Sequence, residues 1–121
     1  MSHLHHNPIC ARRLDAYRVG IALVATIHPW LPRIARHDKD LANQLKRALP
    51  SGPQNLAEAL RRVGADRAHL LTVALGSVDE VRTIVDIALV KQILTAHEAN
   101  AAEQLADRFA AMLYRIRQRL A

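Results

Sequence analysis

Gln44, Ala48, Ser51, Asn55 and Glu58 follow one another at intervals of four, three, four and three residues, which places small and polar groups on one line along a helix. Arg47 lies one turn from Ser51. Farther along, Gly76 and Ser77 are followed three residues later by Glu80. Buried polar groups need partners, so these two lines can satisfy each other through interhelical hydrogen bonds that fix register. Gly76, having no side chain, would let another helix come close. Contact with a ligand or a second subunit is the remaining alternative. A catalytic reading lacks support, because neither a nucleophile nor a metal cage accompanies the carboxylates.

The second chemistry the sequence offers is phosphate binding. Lys and Arg number 17 against 11 Asp and Glu, a net charge of +6, and 14 of the 17 are arginine. Arg grips phosphate with two parallel hydrogen bonds where Lys offers a point charge. The basic candidates are Arg12 and Arg13, Arg33 with Arg36, Lys46 beside Arg47, Arg61 and Arg62, and Arg115, Arg117 and Arg119. Their contacts with RNA or DNA would be sequence-independent and salt-sensitive; a solvated face with local acidic partners is the plain alternative for each. Aromatic residues are 3 % of the chain, too few for base-stacking readout. Arg47 is read as structural, paired with Glu58 or Glu80.

The histidines add little. His3, His5 and His6 read as an inert tail, and His37-Asp38 lacks the further ligands a metal site needs. No metal or other cofactor is expected. Cys10 has no activating base nearby and reads as a small apolar residue.

The elements that must carry these groups are helices. Of 121 residues, 50 % are apolar, chiefly 21 Ala and 17 Leu, while Gly and Pro total 4 and 5. A β-sandwich would need more turn residues. No run of about 18 uncharged apolar residues exists to span a membrane, the start lacks the pattern of a secretion signal, and one cysteine allows no internal disulfide. A reducing, cytoplasmic location is the expectation.

Residues 1–8 read as a loose tail and 9–121 as the bundle domain. The first helix is expected from Ile9 to His28, with Leu14, Ile21, Ala25 and His28 on its stripe and Tyr17 and Val24 beside it. Pro29 and Pro32 then predict an irregular connection to His37. Asp38 caps the second helix, whose stripe is Leu41, Leu45, Ala48, Gly52, Leu56, Ala59 and Val63. The stripe keeps phase across Pro50 and Pro53, which predicts one kinked helix rather than two. Gly64 is placed as its C-cap. Asp66 caps the third helix, running to about Leu94 with Leu70, Ala74, Val78, Val81, Val85 and Ala88 inward. Thr95 and Glu98 form a capping box for the last helix, which turns Leu105, Phe109, Met112, Ile116 and Leu120 inward. The sum is an all-α, antiparallel up-down-up-down four-helix bundle.

The run Gln44-Leu-Lys-Arg47-Ala48-Leu-Pro-Ser51-Gly-Pro53-Gln-Asn55-Leu-Ala57-Glu58, with Ala74-Leu-Gly76-Ser77-Val-Asp-Glu80 after it, resembles the bacterial four-helix-bundle family. That family includes the proteins encoded by intervening sequences of 23S ribosomal RNA genes and the accessory variability determinants of diversity-generating retroelements. Its pattern is Q-x-x-R-A-x-x-S-x-P-x-N-I-A-E-G, then A-x-G-S-x-x-E, and every fixed polar position is matched. The resemblance covers about residues 14 to 120. Two departures are Ala59 in place of the family's glycine and a longer connection through Pro29, Trp30 and Pro32. The resemblance implies a non-enzymatic homopentamer, barrel-like with a central channel. For the retroelement members it implies nucleic-acid binding and association with a reverse transcriptase. The alternative function is a structural or protein-interaction module whose positive charge is incidental.

Overall fold

The computed structural model describes residues 14–120, apart from the side chain of Leu120. The loose tail, Arg12, Arg13, Cys10, the first turn of the expected first helix and the inward placement of Leu120 all lie outside the described residues.

Four long helical segments pack around one core. α1 spans Asp15–Ile27; a 3₁₀ turn, His28–Trp30, leads into the short α2, Leu31–His37. α3 spans Lys39–Ala59, α4 Gly64–Val90 and α5 Ala96–Leu120. α3 packs on α4, α4 on α5, α5 on α1, and α1 with α2 on α3. The contacts give the sense of neighbours. Asp38, Ser51 and Ala59 of α3 and its cap meet Lys91, Ser77 and Arg67, so rising numbers on one helix meet falling ones on the other. Arg82 and Thr72 of α4 meet Glu103 and Arg117 of α5 in the same opposed sense.

The connection expected to be irregular between His28 and His37 is helical. Pro29 and Pro32 sit in the first positions of the 3₁₀ turn and of α2, where a missing amide donor costs nothing. The prolines therefore redirect the chain without unwinding it. Ile34 of α2 is fully buried.

α3 begins as its sequence implies. The Asp38 carboxylate accepts from the Leu41 amide at 3.0 Å, an N-cap bond. The helix continues unbroken through Pro50 and Pro53, and Leu41, Leu45, Ala48, Gly52, Leu56 and Ala59 are all buried. It ends earlier than the stripe suggested. Val63 is 79 % exposed, because the chain leaves the helix after Ala59 through tight turns from Arg61 to Glu58 and from Arg62 to Ala59. Gly64 has the left-handed backbone a C-cap would need (φ 60°), yet it opens α4 instead of closing α3. With α4 starting there, its N-cap is Val63 and Asp66 falls inside the first turn, not at the cap.

α4 stops at Val90, short of Leu94. Gln92 takes a left-handed conformation (φ 60°), and the amides of Ile93 and Leu94 turn back to the Ala88 carbonyl. Its buried set adds Leu71 and Ile84 to the expected stripe, and Leu70 is only partly buried. The Thr95–Glu98 capping box forms as expected: the Glu98 amide donates to the Thr95 hydroxyl at 3.1 Å, and the Thr95 amide donates to the Glu98 carboxylate at 2.9 Å.

Two stripes are rotated from expectation. α1 buries Ala16, Val19, Gly20, Leu23 and Ile27, leaving Ile21, Ala25 and His28 exposed. α5 buries Ala99, Ala102, Ala106, Phe109 and Leu113, with Leu105, Met112 and Ile116 only partly covered. Small residues face inward because Phe109 fills the centre. A Cβ on Gly20 of α1 would stand 2.7 Å from the ring, and one on Gly52 of α3 2.8 Å from it. The two glycines form the notch that admits the ring.

Candidate functional site

The seam between α3 and α4 holds part of the polar line. The hydroxyls of Ser51 and Ser77 lie 2.7 Å apart across the two helices. The Asn55 amide donates to the Ser51 hydroxyl at 3.0 Å and to its carbonyl at 2.9 Å. Ser77 also donates to the Val73 carbonyl, 3.1 Å away. All three side chains are half-buried, so each bond replaces water and helps set register.

The other members of the line do not join this seam. Gln44, Arg47 and Glu80 are exposed, and neither Arg47 nor Glu80 forms an ion pair among the described residues. Glu58 pairs with Arg62 at 2.8 Å, not with Arg47. Gly76 is exposed, and a Cβ built on it would meet nothing within 4 Å. Its expected role as a close-approach point between helices of one chain is therefore wrong: α3 meets α4 at Ser77, one residue around the helix. Pro53 is buried within α3.

The basic candidates divide by height along the bundle. Arg33 is committed to a fork on Glu98, with bonds of 2.9 and 2.6 Å, and it also donates to the Ile93 carbonyl. The guanidinium and the Thr95 amide hold the Glu98 carboxyl down at about 2, because both interactions favour the charged form. Nearby, Lys91 reaches the Asp38 carboxylate at 2.6 Å and lowers its pKa together with the Leu41 amide. These two clamps tie α2 and the start of α3 to the α4–α5 turn. Exposed charge remains there on Arg36, Lys39 and Asp40, which form no ion pair among the described residues.

The opposite end is cationic. Arg61 and Arg62 follow the end of α3; Arg115, Arg117 and Arg119 lie in the last turns of α5. Arg117 donates to Thr72 near the start of α4 at 3.2 Å and stacks over Tyr114 at 5.2 Å. Arg115 and Arg119 share a recess with Leu14, Asp15 and Ala16 at the start of α1. Two clusters more than fifty residues apart in sequence thus lie at the same end of the bundle. Arg67, not singled out by the sequence, joins them and donates to the Ala59 and Leu60 carbonyls at the end of α3. With Arg18, these are seven arginines against three carboxylates, Asp15, Glu58 and Asp66. Arg61, Arg115 and Arg119 are exposed and form no ion pair among the described residues. Lys46 stands apart, on the rim of a recess beside α2.

Among the described residues no three His, Cys, Asp or Glu side chains gather as metal ligands, and no helix is long and apolar enough to cross a membrane. Fold and surface together define a small helical bundle with a hydrogen-bonded polar seam and a cationic end. The chain belongs to the 23S rRNA-intervening sequence protein family, whose model matches residues 12–115. No curated protein matches it.

Proposed function

We propose that this protein is a non-enzymatic, nucleic-acid-binding homo-oligomer, a homopentamer in the cytoplasm, that holds RNA or DNA through its arginine-rich end. The observation that carries this reading is the convergence of Arg61, Arg62, Arg67, Arg115, Arg117 and Arg119 from separate helices onto one end of the bundle. Repetition around a ring multiplies that patch into a continuous positive rim, which attracts phosphate without reading sequence.

The experiment is binding of a single-stranded RNA at several salt concentrations, with Arg61, Arg115 and Arg119 reversed to Glu in one variant. Each lost phosphate contact lowers the slope of log K against log salt by about 0.7. Loss of binding together with a flatter slope supports the reading; unchanged binding by the variant removes the arginine-rich end as the contact, and no binding by the unaltered chain even at low salt removes the nucleic-acid role. The extension to a reverse-transcriptase accessory role rests on the resemblance, and a reverse-transcriptase gene beside this one would support it.

A second reading, a module that binds another protein, draws on the exposed Gln44, Arg47 and Glu80, which have no side-chain partner among the described residues. Under it the reversed arginines leave the protein partner bound.

A further inference from the structure

The outer face of α4 exposes large apolar residues where a bundle helix is ordinarily polar. Val73, Gly76, Glu80, Thr83, Ile87 and Val90 fall at intervals of three, four, three, four and three, one straight line directed away from the core. Val73 is 36 % exposed, Ile87 40 % and Val90 81 %. Gly76, in the middle of this line, faces open space, although glycine weakens a helix interior.

The opposite side of the molecule has hollows. α1 packs on α3 and α5, which both pack on α4, so α1 lies across the core from α4. Along the α1–α2 side of α3 run two recesses. One, of about 280 Å³, is bounded by Tyr17, Ile21, Val24, Pro50, Pro53 and Ala57. The other, of about 370 Å³, lies between Leu31, Pro32 and Ala35 on one side and Ala42, Asn43 and Lys46 on the other.

Heights match between the two faces. The contacts of Asp38 with Lys91, Ser51 with Ser77 and Ala59 with Arg67 fix which residues of α3 and α4 are level. By that scale Val73 stands level with the recess at Pro53 and Ala57, and Ile87 with the recess at Ala42. Charge matches as well. Asp79, Glu80 and Asp86 on α4 are exposed and form no ion pair among the described residues, nor does Lys46 on the rim of the second recess. Lys46 lies within about one turn of the height of Asp86.

We infer that the outer face of α4 in one copy docks into the two recesses on the α1–α2 side of α3 in the next copy. Val73 enters the first hollow and Ile87 the second, Gly76 admits the neighbouring backbone between them, and Lys46 meets the α4 carboxylates. Knobs and hollows lie on different faces, so the contact is head-to-tail and closes into a ring when the rotation axis runs along the bundle. A two-fold pairing of α4 with α4 would instead oppose Asp79, Glu80 and Asp86 to themselves. The inference rests on the homo-oligomer reading and assigns its contact surface.

The test uses the full chain in two variants, Val73→Asp with Ile87→Asp on the α4 face, and Ile21→Asp on the recess face. All three positions are exposed, and circular dichroism reports whether the bundle persists; Lys46→Glu is the second recess variant should Ile21→Asp fail to fold. Light scattering is expected to give an oligomer for the unaltered chain and a single subunit for each variant. An equal mixture of the two variants is expected to give a one-to-one complex and nothing larger, because each keeps one intact face. Variants that assemble like the unaltered chain would overturn this surface while leaving the oligomer standing. A mixture that stays monomeric would overturn the head-to-tail contact. An unaltered chain that is itself monomeric would remove the assembly as well.

Discussion

Replacing Gly20 with Ala tests the notch around Phe109. The new Cβ would lie 2.7 Å from Cζ and 2.9 Å from Cε1 of the ring, roughly an ångström inside ordinary contact. On its other edge the ring lies close against α3, its Cε2 standing 2.8 Å from where a Cβ on Gly52 would sit. Overpacking of this kind costs about 1–3 kcal/mol, against a helix-propensity gain of about 1 kcal/mol for Gly to Ala. The expected net is a loss of up to about 2 kcal/mol, or up to roughly 10 °C in Tm for a bundle of this size. Thermal and urea unfolding followed by far-UV circular dichroism measure it. Phe109→Leu shortens the intruding side chain, so Gly20→Ala in that background should cost at least 1 kcal/mol less than in the native one, as expected for residues in contact. If Gly20→Ala stabilises by the full helix-propensity gain of about 1 kcal/mol, or if the two changes are additive, the notch does not constrain the core.

Two further outcomes follow from the same contacts. Gly76→Ala, the same substitution at a helix position facing open space, should raise stability by up to about 1 kcal/mol, measured by urea unfolding in the Val73→Asp background so that assembly does not contribute. Glu98 has its pKa lowered to about 2, below its unfolded value, so its contribution is present above about pH 5 and is lost as pH falls toward 2. Glu98→Gln should therefore cost on the order of 1 kcal/mol at neutral pH, the carboxylate being 23 % exposed, and the gap between variant and native stability should close on acidification; a gap constant with pH would show that the Arg33 clamp is not the source.

What the sequence reveals depends on how much contrast each helix carries. α3 alternates apolar and charged residues, so its buried line from Leu41 to Ala59 could be traced through two prolines. Its N-cap at Asp38 and the Thr95–Glu98 box were also legible, because capping is local chemistry. α1 and α4 carry apolar residues nearly all round. Spacing alone could not say that Gly20 faces the core and Ile21 does not, since the position of Phe109 decides it. The 3₁₀ turn and α2 were missed because Pro29 and Pro32 read as breakers when both stand at first-turn positions. Among the site residues, Ser51, Asn55 and Ser77 meet as their spacing implied. The commitment of Arg33 to Glu98, sixty-five residues away, and the capping of α3 by Arg67 depend on tertiary neighbours and carry no local signal.

The prolines inside α3 have a consequence for how that helix keeps its shape. Each is about 3 kcal/mol less favourable than alanine in a helix interior, and Pro50 and Pro53 together withdraw the amides that would reach the carbonyls of Lys46 and Leu49. Residues 39–59 alone therefore favour an open chain, and their coiling is imposed by burial against α4 and α1. For residues 39–59, helical shape and burial therefore depend on each other, and a change that loosens the packing of α3 loosens its coil as well.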